Sequence, residues 1–273
     1  MKINYGLIVS DFDGTLIDDR QRILPEVKEA IDRYIKAGGI FAVCTGRMLC
    51  SILPQVRALG LKGPVIAYQG TVIADIETGN VIKSGRMKYE EVSEICRNIE
   101  KLGYGINIYN GDNMYTDIPK ENKYLVRYEK IIGVEAKHVD GKISDFVLKN
   151  KLDCQKVLSL VKEGEREFVY SELSRLLGHR FDVTCSASVL VEVSPMGDTK
   201  GEALKFLAKH YGIPIGKTVA VGDNLNDLSM IKAAGIGCAV SNATTQLKEA
   251  ADFVSVSNND GALAQIIYKY GFE

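Results

Sequence analysis

Short runs of consecutive apolar residues alternate along the chain with longer segments in which apolar residues recur every three or four positions. The runs at residues 7–9, 40–44, 64–68 and 218–221 are typical of strands that a parallel sheet buries on both faces. The longer segments predict helices, for example over residues 25–37. This alternation predicts an α/β fold with a doubly wound parallel sheet and right-handed crossovers.

The pattern is different in the middle of the chain, where the sequence is more polar. Alternating apolar and polar positions predict strands there, at residues 106–109 and 146–148. Helical spacing predicts helices, at residues 89–102, 121–132, 153–162 and 171–176. We interpret this part of the chain as an inserted α+β domain whose sheet has one open face.

A predicted strand at residues 189–193 restores the first pattern. The sequence therefore predicts a discontinuous core domain with a second domain inserted into it. The first part of the core is expected at residues 1–84, the inserted domain at residues 85–188, and the second part of the core at residues 189–273.

Composition narrows the function classes. The 273 residues carry a formal net charge of −1, which gives no electrostatic reason to expect nucleic acid or an anionic membrane as a partner. No segment approaches the roughly 20 apolar residues of a membrane-spanning helix, and no apolar leader precedes the first strand. The six cysteines form no C-x-x-C pair, which agrees with a reducing compartment. We expect a cytoplasmic protein.

Two carboxylates separated by one residue, Asp11 and Asp13, directly follow the first predicted strand. Ligands of an open α/β sheet bind where its strands end. Carboxylates this close repel each other unless a cation such as Mg²⁺, which prefers oxygen ligands, lies between them. The pair fits phosphoryl transfer to an aspartate, with Asp11 as the nucleophile and Asp13 as the general acid and then the base. The alternative is that both residues only end a strand and cap a turn.

Residues suited to phosphate occur further along the chain. The Thr45 hydroxyl and the Gly46 N–H can hold phosphate oxygens, and Lys200 can neutralise the phosphate and keep Asp11 ionised. Each of these residues also has a plain interpretation, as a helix cap or as an exposed charge. Their order along the chain favours the phosphate site.

A further acidic group follows the strand at residues 218–221. Asp223 and Asp227 can complete a metal site, because Mg²⁺ has to cancel charge between carboxylates and phosphate. Asn226 can orient a metal-bound water or bind a phosphate oxygen. The alternative for this segment is an ordinary turn followed by the first turn of a helix.

Taken together, these motifs resemble those of the haloacid dehalogenase (HAD) superfamily. The four similar segments are Asp11-Phe12-Asp13-Gly14-Thr15-Leu16, Thr45-Gly46-Arg47, Lys200-Gly201 and Gly222-Asp223-x-x-Asn226-Asp227. The second and fourth segments are similar to those of the Cof-type (subfamily IIB) phosphatases, and the insert resembles the C2 cap domain of that group. The resemblance covers essentially the whole chain.

The resemblance implies a Rossmann-like core, dependence on Mg²⁺ and hydrolysis of small phosphorylated metabolites such as sugar phosphates. It implies these roles: Asp11 as nucleophile, Asp13 as acid and base, Asp11, Asp223 and the Asp13 carbonyl as metal ligands, Thr45, Gly46 and Lys200 as phosphate ligands, and Asp227 and Asn226 as support for the metal shell. It also makes Ser241-Asn242-Ala243 a recurring segment with a structural or phosphate-proximal role.

Two departures from the family pattern stand out. Gln69-Gly70 follows the third strand, where Asn-Gly is more usual, and the longer amide can alter substrate contacts. Asp198 is an extra acid before Lys200, expected to pair with Lys200 or to cap its helix. The alternative functions are a phosphomutase or phosphotransferase on the same scaffold, a phospho-accepting signalling domain, and a ligand sensor. The substrate, the specificity residues of the cap and the oligomeric state are not assigned.

Overall fold

The structure is a computed structural model that describes residues 2–273. Met1, with which the first predicted domain segment begins, lies outside the described residues. In chain order the strands are β1 (Leu7–Asp11), β2 (Ile40–Cys44), β3 (Pro64–Ala67), β4 (Val72–Asp75), β5 (Val81–Ser84), β6 (Gly105–Asn110), β7 (Asn113–Thr116), β8 (Lys137–His138), β9 (Lys156–Leu160), β10 (Phe181–Ala187), β11 (Leu190–Pro195), β12 (Thr218–Gly222), β13 (Ile236–Ala239) and β14 (Phe253–Val254).

The α-helices alternate with these strands. In chain order they are α1 (Pro25–Lys36), α2 (Leu49–Ala58), α3 (Tyr89–Leu102), α4 (Lys123–Ile132), α5 (Ile143–Asn150), α6 (Arg166–Leu177), α7 (Lys200–His210), α8 (Leu228–Ala233), α9 (Thr245–Ala250) and α10 (Ala262–Ile266). Within the described part of the chain, no helix has both the length and the apolar content needed to cross a membrane.

Across residues 2–273 the strands form two sheets. The first has the order β14-β13-β12-β1-β2-β3-β4-β5, and the pairs from β14 to β3 are parallel. β4 runs antiparallel to β3. Strands β1, β3 and β12 are buried along their whole length, as expected for a sheet covered on both faces. The predicted α/β fold with a parallel-sheet core is confirmed.

The second sheet has the order β10-β11-β9-β6-β7-β8, and only its β7–β8 pair is parallel among the pairs in the described chain. Its apolar face packs on helices α3, α5 and α6. Helix α3 presents Val92, Ile95 and Ile99 to this core at helical spacing and ends at Gly103, whose φ of +80° few other residues adopt.

Contacts divide the chain into two compact units. The first consists of the chain up to Thr45, Gln55–Ile82 and Thr199–Glu273, and the second of Gly46–Pro54 and Lys83–Asp198. The parallel sheet lies in the first unit apart from the end of β5, and the antiparallel sheet lies in the second. The predicted domain bounds at residues 84 and 188 stay a prediction.

Four details of the sequence interpretation are wrong. Residues 146–148 lie in helix α5, because Ile143 and Val147 face the apolar core one turn apart. Residues 153–162 contain strand β9, which is central in its sheet and buried on both faces, so it lacks the alternation that marks a strand. The strand near residue 190 pairs with β9 and β10 and not with the core sheet. The sheet face opposite the apolar core is not open, because Lys156 and Glu192 on it are buried.

Candidate active site

The order of the strands in the first sheet reverses between β1 and β12. From β1 the chain continues to its neighbour β2 on one side, and it returns to β12 on the other side. The carboxyl ends of the strands beside such a reversal are where ligands of open α/β sheets bind. β1 ends at Asp11, and Asp223 directly follows β12.

The turn after β1 brings these two strand ends together. Gly14 has a φ of +78°, and a Cβ atom on it would lie 2.9 Å from Asp223 Oδ2. Any larger residue would therefore be strained and would displace the carboxylate. The hydroxyl of Thr15 donates a hydrogen bond to Asp223 Oδ1 at 3.1 Å. Glycine and threonine at these positions thus fix the side chain of Asp223.

Three carboxylates meet at this point. Asp11, Asp223 and Asp227 each offer a carboxylate oxygen, and these oxygens lie within 4.8 Å of one another. Lys200 Nζ lies 2.5 Å from Asp11 Oδ1 and 2.6 Å from Asp227 Oδ1, and all three side chains are buried. Thr199 caps the helix that carries Lys200, because its side chain accepts a hydrogen bond from the Glu202 N–H.

Asp227 is held on both of its carboxylate oxygens. Oδ1 accepts from Lys200, and Oδ2 accepts from the backbone N–H groups of Asp223 at 2.9 Å and Asn224 at 3.0 Å. Residues 225–227 form a short 3₁₀ turn in which the Asn224 side chain caps the Leu225 N–H. Asp227 therefore braces the loop after β12 and leaves Asp11 and Asp223 as the carboxylates able to take a further partner.

The charges of this cluster are not balanced by Lys200 alone. Burial raises the pKa of Asp11 well above its ordinary value, and the neighbouring carboxylates raise it further, although Lys200 opposes them. Burial and then the charge of Asp227 raise the pKa of Asp223 to about 6. Burial lowers the pKa of Lys200, but the attraction of Asp11 and Asp227 outweighs it, so the ammonium stays charged. The cluster carries excess negative charge.

This donor set fits a hard divalent cation. Such ions take oxygen ligands, and a positive charge between Asp11 and Asp223 would offset the burial and the carboxylate repulsion that raise both pKa values. Among the described residues, the acidic group suited to a metal is Asp11, Asp223 and Asp227. Asp13 lies in the turn after β1, close enough for its charge to raise the pKa of Asp11.

Two of the expected phosphate ligands follow β2, the strand beside β1. Thr45 is buried, its N–H donates to the Ile66 carbonyl at 2.8 Å, and its own carbonyl accepts from the Gln69 N–H at 3.0 Å. Gly46 falls in the second unit, where its carbonyl accepts from Lys156 Nζ at 2.9 Å. The sequence does not single out Lys156, because residues 153–162 are predicted as a helix and a lysine there gives no signal of burial.

Asn226 is fixed by a residue that follows β3. Its Nδ2 donates to Gln69 Oε1 at 3.1 Å, whereas its Oδ1 is buried and has no hydrogen-bond partner within the described chain. Asn242, in the recurring segment after β13, donates from Nδ2 to the Gly14 carbonyl at 2.9 Å. That contact is structural, and it supports the turn that carries Asp13.

The expected alternatives for Asp198 are both wrong. Its Oδ1 pairs with Lys83 Nζ at 2.5 Å, and Thr199 is the residue that caps the helix of Lys200. Arg47 is buried and donates from Nη1 to the Ile131 carbonyl at 3.1 Å, within the second unit. Sequence reasoning missed Thr15 as a partner of Asp223, although a hydroxyl residue directly after the Asp-x-Asp-Gly turn was a signal available to it.

This arrangement agrees with what comparison with known proteins finds. The family model of haloacid dehalogenase-like hydrolases matches residues 8–267, so the chain belongs to that family. It is a hydrolase of the phosphatase class.

Three similar proteins span nearly the whole chain. It is 28% identical to the 5-amino-6-(5-phospho-D-ribitylamino)uracil phosphatase YwtE of Bacillus subtilis, covering 95% of this chain and 96% of that one. It is 26% identical to the pyridoxal phosphate phosphatase YbhA of Escherichia coli, covering 97% of this chain and 98% of that one. The structure of a haloacid dehalogenase-like hydrolase from B. subtilis is similar with a TM-score of 0.86 and 26% identity, covering 96% and 99%.

Proposed function

We propose that the chain is a Mg²⁺-dependent phosphatase that hydrolyses small phosphate monoesters through an aspartyl-phosphate on Asp11. The observation that carries the proposal is the buried contact of Asp11 with Lys200 beside Asp223 at the ends of two neighbouring strands. A carboxylate nucleophile, a fixed cation and an acidic metal site are the parts that phosphoryl transfer to an aspartate needs.

In the first half of the reaction, a carboxylate oxygen of Asp11 bonds to phosphorus as the ester P–O bond breaks. The electron pair of that bond leaves on the alcohol oxygen, and Asp13 supplies the proton. The Lys200 ammonium beside Asp11 stabilises the negative charge of the phosphoryl group. The Thr45 hydroxyl and the Gly46 N–H are the proposed donors to the phosphate oxygens.

In the second half, a water oxygen bonds to phosphorus, and the bond between phosphorus and Asp11 breaks. Asp13, now a carboxylate, takes the proton of that water, and inorganic phosphate is released. Asp11, Asp223 and the Asp13 carbonyl would hold Mg²⁺, which supplies charge neutralisation between the carboxylates and the phosphate. Asp227 supports this shell through the loop after β12.

The substrate class is proposed as sugar phosphates or related monoesters. The two relatives named above act on phosphates with unlike organic parts, so the core chemistry does not select the organic part. We propose that the second unit is the cap domain that makes this selection. Cytoplasmic location and the absence of a nucleic-acid partner stay predictions from composition.

A substrate panel with Mg²⁺ tests the proposal. Purified protein is offered phosphorylated sugars, nucleotides and cofactors, and released inorganic phosphate is measured. We expect turnover of monoesters and no activity in Asp11→Asn, whose circular dichroism and thermal unfolding stay close to those of the wild type. Conversion of a sugar phosphate into its isomer without release of phosphate would replace the phosphatase with a mutase. Near-normal turnover by Asp11→Asn would refute the role of Asp11.

A further inference from the structure

The turn after β3 has an unfavourable backbone. Three consecutive residues have positive φ: Tyr68 at 52°, Gln69 at 60° and Gly70 at 123°. Tyrosine and glutamine rarely adopt this left-handed region, because Cβ then crowds the following carbonyl oxygen. Tyr68 and Gln69 are also buried. Such a conformation persists only where surrounding contacts hold it, and it often lies at a functional site.

The contacts of this turn lead to the candidate active site. The Gln69 N–H donates to the carbonyl of Thr45 at 3.0 Å. The turn also packs against α7, the helix that begins with Lys200. The Gln69 side chain accepts from Asn226 Nδ2 at 3.1 Å through Oε1. Gln69 thus joins the segments after β2, β3 and β12 within the first unit.

The contact with Asn226 decides which way that amide faces. Because Gln69 Oε1 is an acceptor, Nδ2 of Asn226 turns toward it and Oδ1 turns away. Oδ1 is buried and has no partner in the described part of the chain, and a buried acceptor left unpaired is unfavourable. An acceptor left this way beside Asp227 is available to a donor that arrives with the substrate or its hydration shell. Nδ2 carries a second proton, which the contact with Gln69 does not use.

We propose that Gln69 is a positioning residue that fixes the orientation of the Asn226 amide for phosphate binding. This inference rests on the proposed function, together with the sequence prediction that Asn226 binds a phosphate oxygen or orients a metal-bound water. Without the Gln69 acceptor the amide can rotate about its last torsion and exchange Oδ1 with Nδ2. The rare backbone conformation is retained because it places a side chain of glutamine length at Asn226.

Two substitutions separate the side chain of Gln69 from its backbone. Gln69→Met keeps the length of the side chain and removes the acceptor. Gln69→Asn suits the left-handed backbone better than glutamine does, but its amide is one methylene too short to reach Asn226. We expect both variants to bind inorganic phosphate about 5-fold more weakly than wild type in calorimetry with Mg²⁺ present. This is the size of effect expected when one hydrogen bond to the phosphate is lost. Gln69→Asn should unfold at the wild-type temperature or above it.

A double-mutant cycle decides whether Gln69 acts through Asn226. In an Asn226→Ala background, Gln69→Met should weaken phosphate binding no further. An equal loss in both backgrounds would overturn the proposal, because Gln69 would then act on the phosphate directly or through the fold. Wild-type phosphate binding in Gln69→Asn would also overturn it, because only the backbone of this turn would matter.

A second measurement does not depend on activity. In protein labelled with ¹⁵N-asparagine, the side-chain amide protons of Asn226, assigned by their absence in Asn226→Ala, should exchange more slowly in wild type than in Gln69→Met. Equal exchange rates would contradict the contact. If the exchange rates differ while the wild-type protein neither hydrolyses phosphate esters nor binds phosphate, the proposed function falls and the orientation of Asn226 by Gln69 stands.

Discussion

Lys200 and Asp11 are 189 residues apart in the chain, yet they form a buried ion pair with an Nζ–Oδ1 distance of 2.5 Å. Asp227 shares the same ammonium at 2.6 Å. Removing Lys200 would leave two buried carboxylates without their cation, which is more costly than losing an exposed pair, whereas Asp11→Asn leaves the ammonium paired with Asp227. Lys200 therefore matters for stability as well as for the proposed chemistry.

Replacing Lys200 by methionine should reduce the free energy of unfolding by about 3–5 kcal/mol, because two carboxylates lose their cation. Chemical denaturation with a chelator present measures this loss. Lys205→Met, on the same helix with an exposed ammonium, should change stability by no more than about 0.5 kcal/mol. The double variant Lys200→Met/Asp227→Asn should regain part of the stability and none of the activity. A Lys200→Met protein as stable as wild type would show that the ion pair does not form.

Asp13→Asn should slow the hydrolysis of alkyl phosphates about 10²- to 10⁴-fold, because no acid protonates the leaving alcohol. With p-nitrophenyl phosphate, whose leaving group needs no proton, the first step should survive while hydrolysis of the aspartyl-phosphate is slowed. Stopped-flow absorbance should then show a burst of p-nitrophenol of about one equivalent per site. Asp145→Asn, an exposed change on α5, serves as the control. Equal losses for both substrates without a burst would count against Asp13 as the acid.

Chelation of divalent metal ions should abolish phosphatase activity, and added Mg²⁺ should restore that activity. Dialysis against EDTA followed by a titration with Mg²⁺ measures this directly. The expectation follows from the excess negative charge of the cluster, which a divalent cation would neutralise. Full activity after thorough chelation would remove the metal from the mechanism.

The metal-free protein should lose stability as pH rises from about 4 to about 6. The pKa of Asp223 is about 6 in the folded protein and 3.8 ordinarily, so in this window the folded state binds more protons than the unfolded state. Stability then falls with rising pH, by at most about 3 kcal/mol from this group. Urea unfolding in EDTA at several pH values gives the slope, and Asp223→Asn should flatten it. If this substitution leaves the slope of unfolding free energy against pH unchanged, a group other than Asp223 is responsible for the pH dependence.

The buried pair of Lys156 and Glu192 in the second unit gives a separate prediction. Their charged atoms are 3.4 Å apart, and both side chains are at most 3% exposed. Burial lowers the pKa of Lys156, but Glu192 and then Tyr128 outweigh it and raise the pKa above its ordinary value. Lys156→Met should destabilise the protein by about 3–5 kcal/mol, and Lys156→Met/Glu192→Leu should be closer to wild type in thermal unfolding. Equal stability of the two variants would contradict this.

Most core strands could be predicted because the evidence for them is local. A short apolar run such as Ile40–Cys44 predicts a strand that is buried on both faces. A polar residue that directly follows such a strand must lie at one edge of the parallel sheet. Strand β9 could not be predicted in this way. It contains Lys156, which is buried because Glu192 on another strand and the Gly46 carbonyl are partners of its ammonium. Helix α5 is wrongly predicted as a strand, because so short an apolar run does not show whether its residues follow the repeat of a strand or that of a helix.

By itself the sequence determined the parallel-sheet core and the chemical types at its strand ends, because apolar runs, glycine turns and carboxylate spacing are local properties. Only the tertiary structure decided the partners: Asp198 with Lys83, Asn226 with Gln69, and Asp227 with Lys200. Each of these contacts joins side chains far apart in the chain. A hydrogen bond or ion pair depends on distances of a few ångströms, which folding sets and residue order does not.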